Sequence, residues 1–179
     1  MAPAAGLELR RATPSDALAI HAIYEHAVRY GTATFDVEAP SPAAIASRLV
    51  ELVDAGFPYL VAVQDGAILG FAYAAPFRLR AAYASTLEDS VYIAPSAQGL
   101  GVGRLLLEAL VRTCEAAGYR SLLALIGDSA SAASIGLHAA CGFTPAGTLH
   151  AVGFKHGRWL DVVLMERALG AAATTPPTL

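Results

Sequence analysis

The sequence predicts an α+β fold in which about four helices flank one mixed, mostly antiparallel sheet of about seven strands. Short apolar or alternating segments, typical of strands, are interspersed with segments whose apolar residues recur at helical spacing. The resulting order is β-α-α-β-β-β-α-β-α-β-β, and it contains two hairpin signals, which require antiparallel neighbours. The 179 residues, 55% of them hydrophobic, suffice for one core. We therefore expect a single domain over residues 1–170.

The first strand and the first helix are predicted before residue 31. Residues 7–10 alternate apolar and polar side chains, as a half-buried strand does. Residues 13–16, Thr-Pro-Ser-Asp, then provide a cap, a first-turn proline and an early acid for a helix that continues to about Tyr30. His21 and His26 on this helix have no second ligand one turn away, so we expect surface histidines rather than a metal site.

An irregular segment of mostly small residues, 31–36, separates this helix from the next one. Segments of this kind often line pockets. Ser41 and Pro42 provide the cap and the first-turn proline of a second helix, which we expect to continue to about Asp54.

Three strands and one interruption follow. Residues 59–64 and 68–74 read as antiparallel strands joined by the two-residue turn Asp65-Gly66. Residues 77–83, with two cations and an aromatic side chain, interrupt the sheet. The fourth strand is then predicted over 87–93.

The remaining elements are delimited by glycines and turns. After a helix that ends near Gly118, residues 121–126 are so uniformly apolar that we expect a central strand covered on both faces. A short helix over 131–140 and a closing hairpin formed by 143–154 and 159–166 complete the domain. Residues 171–179 lack core side chains and are expected to form a disordered tail.

Composition excludes several classes of function. Lys and Arg number 12 and Asp and Glu 15, a net charge of −3, so there is no basic field to favour nucleic acid or an anionic membrane. No apolar run approaches the length of a membrane span, and we expect a cytoplasmic protein. Cys114 and Cys141 lack metal-ligand spacing and are expected to be reduced, buried packing residues.

The glycine-rich run Gln98-Gly-Leu-Gly-Val-Gly-Arg104 lies between the fourth strand and a helix that opens at Leu105. Small residues at a helix N-terminus leave its unbonded N–H groups open to a phosphate or pyrophosphate. The run lacks the Gly-Lys-Ser/Thr ending of a Walker loop and the G-x-G-x-x-G spacing of a dinucleotide fold. In this context it resembles the acetyl-CoA pyrophosphate loop of the GNAT superfamily of N-acetyltransferases.

From about residue 9 to 169 the chain resembles the phosphinothricin N-acetyltransferase branch of this superfamily, which includes methionine sulfoximine and sulfone acetyltransferases. The segments that carry this resemblance are 32–35, 70–74, 78–83, 88–93, 133–138 and 152–161. It implies direct acetyl transfer from acetyl-CoA to the α-amine of a small amino-acid analogue, through a tetrahedral intermediate and without a metal. It also implies a homodimer, for which we expect the aromatic hairpin 152–159 to provide the interface.

The resemblance also implies site residues. Glu88 and His138 match the family's proposed catalytic pair. The residues implied for acetyl-CoA are Val91, Tyr92, Ile93, Gln98, Gly99, Leu100, Gly101, Val102, Gly103, Arg104, Ser131 and Ser134. Those implied for the amino-acid substrate are Phe35, Arg78, Leu79, Arg80, Tyr83, Glu88, Asp89 and Ser90. Ser131 replaces the family's usual Asn, and because a hydroxyl is shorter than a carboxamide we expect pantetheine binding either to be weaker or to pass to Ser129 or Ser134.

Acetyl transfer from a thioester to an amine needs a base for the ammonium and an acid for the departing thiolate. Glu88 and His138 can fill these roles in either order, because a shielded carboxylate and an imidazole both exchange protons near neutrality. Strand alternation predicts Glu88 and Ser90 on one face and Asp89 and Val91 on the other.

Arg78 and Arg80 can pair with a carboxylate or phosphinate, which favours a small zwitterionic substrate. The alternatives are another amine acceptor (a polyamine, an aminoglycoside or a protein N-terminus) and a non-catalytic acyl-CoA-binding module. The two arginines argue against a polycationic acceptor.

Overall fold

The computed structural model describes residues 6–177 and contains the predicted elements in the predicted order. The helices are α1 (Ala17–Tyr30), α2 (Pro42–Asp54), α3 (Val102–Ala116) and α4 (Ala132–Ala140). The strands are β1 (Glu8–Arg11), β2 (Tyr59–Gln64), β3 (Ala67–Pro76), β4 (Thr86–Ile93), β5 (Ser121–Gly127), β6 (Thr144–Lys155) and β7 (Arg158–Ala168). The predicted fold class is confirmed.

The two strands in the middle of the sheet, β4 and β5, pair over only part of their length. Over the described residues the strand order is β1-β2-β3-β4-β5-β7-β6, and every neighbouring pair is antiparallel except β4 and β5. These two parallel strands pair only from Thr86 opposite Ser121 to Glu88 opposite Leu123. Beyond Glu88, β4 continues beside β3 while β5 continues beside β7, so a cleft opens between them.

Two cores cover β2 and β3 from opposite sides. Alternate residues such as Leu60 and Ala72 pack with α3, whereas Val61, Phe71 and Tyr73 pack with α1 and α2. Both faces of these strands pack against helices, which explains why their sequences are continuously apolar rather than alternating.

The prediction that the fifth strand is covered on both faces is wrong in part. Leu122, Ala124 and Ile126 are buried, but Leu123 and Leu125 are only half-buried. The helices α1 and α2 pack against β2, β3 and β4. Among the described residues neither helix packs extensively against β5, although the sequence of β5 is as apolar as that of a fully covered strand.

The closing hairpin and the chain end lie at the far side of the sheet. Most of β6 is exposed, and it carries two register shifts against β7. Residues 170–175 form turns, and the Arg120 guanidinium donates hydrogen bonds to the Thr175 hydroxyl and the Pro176 carbonyl. Disorder over 171–179 stays a prediction, and residues 178–179 lie outside the described residues.

Two further expectations from the sequence concern the two cysteines and membrane-spanning helices. Cys114 and Cys141 are free and buried, as expected. In residues 6–177, no helix combines the length and the apolar character needed to cross a membrane.

Candidate active site

A cavity of about 270 Å³ lies where β4 and β5 stop pairing. Its walls come from both strands, from the segment after α1 and from α4. The lining residues are 33–35, 88–92, 124–127, Ser131, Ser134 and His138, together with Tyr24, Arg48, Tyr73 and Val162. The cleft is therefore a consequence of the strand separation, and both predicted catalytic residues face it.

The cavity contains part of each predicted binding set. From the substrate set it includes Phe35, Glu88, Asp89 and Ser90, and from the acetyl-CoA set Val91, Tyr92, Ser131 and Ser134. Arg78, Leu79, Arg80 and Tyr83 instead line a separate surface depression. Ile93 and residues 98–104 do not line the cavity; Ile93 ends β4, and the run 98–104 leads into α3.

Glu88 is the last residue of β4 that pairs with β5, and it is half-buried. Burial raises the pKa of its carboxyl; the charge of Asp89 adds to this rise, and the charges of Arg78 and Arg48 oppose it. A carboxylate whose pKa is raised toward neutrality is a better proton acceptor than an exposed one. Glu88 is thus suited to remove a proton from an ammonium group in the cavity.

His138 pairs with Asp89 rather than with Glu88. Its Nε2 lies 3.0 Å from Asp89 Oδ2, and its Nδ1 lies 2.7 Å from the carbonyl oxygen of Ser134. Burial lowers the pKa of His138, but the hydrogen bond and charge of Asp89, with the Ser134 carbonyl, outweigh it, and the pKa is raised. The alternation along β4 places Asp89 with buried Leu87, away from Glu88, as predicted.

Arg48 is a cation of the cavity that the sequence analysis missed. It is exposed on α2, yet its guanidinium lies 5.1 Å from the centre of the Tyr73 ring and reaches the cavity wall. The available signal was weak, because a single arginine on an amphipathic helix is usually a solvated charge. In the structure Arg48 provides a positive group on the same cavity that Glu88 faces.

The segment 31–36 forms one wall of the cavity and is held by several contacts. The Tyr24 hydroxyl donates to Asp36 at 2.7 Å and lies 2.8 Å from the Thr34 hydroxyl. Lys155, only 3% exposed, donates from Nζ to the Thr34 carbonyl at 2.7 Å. Burial lowers the pKa of this ammonium, with Asp36 opposing the shift. The wall is therefore fixed to the closing hairpin.

Two glycines allow this wall to approach the sheet. A Cβ at Gly127 would lie 2.3 Å from the carbonyl oxygen of Thr32, and a Cβ at Gly153 would lie 2.0 Å from the Phe35 ring. Gly127 and Lys155 are not among the site residues predicted from the sequence. Their partners are distant in sequence, so no local pattern could reveal them.

The glycine-rich run has the geometry expected of an anion-binding helix start. Gly101 is the N-cap of α3 with φ 83°, and Gly99 has φ 75°, conformations that favour glycine. The N–H groups of Val102, Gly103 and Arg104 lack intrahelical acceptors because they lie in the first turn of the helix. No described side chain caps this helix end either. Arg104 itself is bonded to Glu108 at 2.8 Å. The main-chain N–H groups at this helix start are thus available to a diphosphate, and the role of Arg104 stays a prediction.

The N-terminus of α4 offers two hydroxyls to the cavity. Ser131 is its N-cap and makes no side-chain capping bond, and the Ser134 hydroxyl lies 3.5 Å from His138 Nδ1. Among residues 6–177 no cluster of three or more His, Cys, Asp or Glu side chains could hold a metal ion.

Known proteins resemble this chain over nearly all of its length. The profile of the Acetyltransferase (GNAT) family matches residues 20–143. A phosphinothricin N-acetyltransferase of Alcaligenes faecalis is 56% identical over 162 residues, covering 90% of this chain and 82% of that protein. An L-methionine sulfoximine/L-methionine sulfone acetyltransferase of Salmonella typhimurium is 36% identical, covering 91% and 95%. The crystal structure of a phosphinothricin acetyltransferase from Sinorhizobium meliloti in complex with AcCoA superposes with a TM-score of 0.93 at 44% identity, covering 97% and 94%.

Proposed function

Because the chain belongs to the GNAT acetyltransferase family, we propose that it acetylates the α-amine of a small amino-acid analogue, with acetyl-CoA as the donor. The substrate class is that of phosphinothricin, methionine sulfoximine and methionine sulfone, named in its relatives. Acetylation of such analogues is a detoxification. The observation that carries this proposal is one cavity of about 270 Å³ with a carboxylate and a guanidinium on its walls.

Size and charge both support this substrate class. The cavity, at about 270 Å³, lies just below the range of ordinary small-ligand sites, which is about 300–1,000 Å³, so it suits an amino acid better than an aminoglycoside or a peptide. Glu88 can accept a proton from the ammonium group, and Arg48 can pair with a carboxylate or phosphinate. A polyamine has no group for Arg48 to bind, and the cation would repel it.

Acetyl-CoA is assigned to the opening of the cleft and the start of α3. Main-chain N–H groups of 98–104 are suited to its diphosphate, Ser131 and Ser134 to its pantetheine arm, and the free edge of Val91, Tyr92 and Ile93 to its amides. The donor supplies a thioester whose carbonyl carbon is attacked by the amine. The expected cytoplasmic location belongs to this proposal and is supported by the two free cysteines.

A thiol-release assay with purified protein tests the function directly. We expect turnover with phosphinothricin, methionine sulfoximine or methionine sulfone, and background rates with spermidine, an aminoglycoside and an unmodified peptide. Turnover confined to the second group would refute the substrate class. If calorimetry shows acetyl-CoA binding but no amine is acetylated, the chain is an acyl-CoA-binding module instead.

The homodimer is proposed from the surface of the closing hairpin. Leu149, Val152, Phe154 and Trp159 are between 48% and 64% exposed, and the Phe154 and Trp159 rings contact each other edge to face. A cluster of exposed apolar side chains on an edge hairpin is typical of an interface, and a two-fold axis would let it cover itself. Light scattering at micromolar concentration tests this, and a monomeric mass would contradict it. Trp159→Glu should shift a dimer toward monomer.

A further inference from the structure

The burial and the hydrogen bonding of the Asp89 carboxylate are not explained by substrate binding alone. Its side chain is 0% exposed although it lines the cavity. One carboxylate oxygen, Oδ2, contacts His138, while Oδ1 has no hydrogen-bond partner in the part of the chain that the structure describes. A buried carboxylate is costly unless a charge and a hydrogen bond compensate it. His138 is the residue placed to provide both.

The contacts of His138 determine how many protons its ring carries. Nδ1 faces the Ser134 carbonyl oxygen at 2.7 Å, and a carbonyl can only accept a hydrogen bond. Nε2 faces Asp89 Oδ2 at 3.0 Å, and an ionised carboxylate is likewise only an acceptor. Both ring nitrogens must therefore donate when Asp89 is ionised. The ring is then an imidazolium, which cannot act as a base.

Other groups do not compete with Asp89 for control of the ring. The thiols of Cys114 on α3 and of Cys141, the residue that follows α4, are affected by the charge of Asp89, and burial raises the pKa of each, so neither carries a charge near neutrality. Glu88, the neighbouring acid on β4, faces the opposite side of the strand. Asp89 is the charged group that acts on His138.

We propose that Asp89 is a positioning residue that holds His138 as an imidazolium and thereby makes it the acid of acetyl transfer, with Glu88 as the base. This inference rests on the proposed function and assigns the two roles that the sequence leaves interchangeable. The amine nitrogen forms a bond to the thioester carbonyl carbon and loses a proton to Glu88. The C–S bond breaks, the sulfur keeps the electron pair and it gains the proton on Nδ1 of His138, whose hydrogen bond to the Ser134 carbonyl breaks, while Nε2 keeps its proton toward Asp89. The products are the amide and the CoA thiol, and exchange with solvent restores both residues.

The protonation state of His138 can be measured without turnover. In protein labelled with ¹⁵N-histidine at pH 7, we expect both His138 nitrogens to carry a proton, with the signal assigned by its loss in His138→Gln. A ring with a single proton at pH 7 would overturn the inference, because His138 would then be a neutral imidazole. This readout stays informative if no acceptor amine is found, which distinguishes its failure from that of the proposed function.

Asp89→Asn tests the functional consequence. It removes the charge with little change in shape, so the His138 pKa should fall. The alkaline limb of the kcat profile should move to lower pH by the same amount, while the Kd of acetyl-CoA stays unchanged. Asp65→Asn, in the exposed β2–β3 turn, is the matched control and should leave the profile unaltered. An alkaline limb that stays in place in folded Asp89→Asn protein would refute the positioning role.

Discussion

The substitution Gly127→Ala tests whether segment 31–36 forms the acceptor wall of the site. A methyl group at Gly127 would lie 2.3 Å from the Thr32 carbonyl oxygen, whereas ordinary contacts begin at 3.4 Å, so one side must retreat by about 1.1 Å. Gly127, the last residue of β5, is held in the sheet by its pairing with Val162 of β7. The segment that carries Thr32 and Phe35, rather than the strand, should therefore move.

The expected magnitude follows from that displacement. A misplacement of about 1 Å can cost about 10²-fold in rate, which is roughly 2.7 kcal/mol of transition-state stabilisation. We expect kcat/KM for the amine to fall by about that factor in the thiol-release assay. The Kd of acetyl-CoA, measured by calorimetry, should stay unchanged because the main-chain N–H groups proposed for its diphosphate belong to a different element, the start of α3.

Gly136→Ala is the matched control. Gly136 is an exposed position inside α4 where an added Cβ meets nothing within 4 Å. This substitution should stabilise the protein by about 0.5–1 kcal/mol, since Ala is the better helix former, and leave kcat/KM unchanged. If folded Gly127→Ala retained wild-type kcat/KM, segment 31–36 could not be the acceptor wall.

Three further predictions address the base, the donor and the pH dependence. Glu88→Gln should lower kcat by about 10²- to 10⁴-fold with partial rescue at alkaline pH; a loss below about threefold would contradict the role of Glu88 as a base. Gly101→Asp should weaken acetyl-CoA binding in calorimetry, because it places bulk and negative charge before the α3 amides, and unchanged affinity would exclude this loop from the site. The raised His138 pKa means that the stability from its pairing with Asp89 is complete below the ordinary histidine pKa and is lost as pH rises through the raised value. The Tm difference between wild type and Asp89→Asn should therefore shrink with increasing pH, and a constant difference would contradict this.

The sequence predicts most of the fold because its signals are local. Ser41 caps α2 through the Ala44 N–H, Asp65-Gly66 turns the β2–β3 hairpin, and Gly118 follows the end of α3 with positive φ. Each of these residues acts on its own neighbours, so a short window contains the information. The covering of β5 was predicted wrongly, because an apolar strand does not specify which of its faces a distant helix will reach.

The candidate site likewise combines features that local sequence predicts with contacts between residues distant in sequence. The glycine-rich run and the neighbouring acids Glu88 and Asp89 are visible as local motifs, and the cavity includes both acids. The pairing of Asp89 with His138 spans 49 positions, and that of Lys155 with Thr34 spans 121. Such contacts depend on strand order and on where β4 and β5 separate. The sequence therefore specifies the reacting groups, while the protonation of His138 depends on tertiary structure.

The limited pairing of β4 with β5 links the proposed donor site to the proposed acceptor site. From Asp89 to Ile93, β4 is hydrogen-bonded to β3 on one edge, while its other edge has lost β5. Main-chain groups on that free edge need partners, and the amides of an extended pantetheine arm can pair with them as a strand would. An arm bound there would run from the α3 N-terminus toward Glu88, where the parallel pairing begins. On this basis, substitutions that extend the β4–β5 pairing past Glu88 should abolish acetyl-CoA binding while stabilising the sheet, and calorimetry with thermal unfolding would separate the two effects.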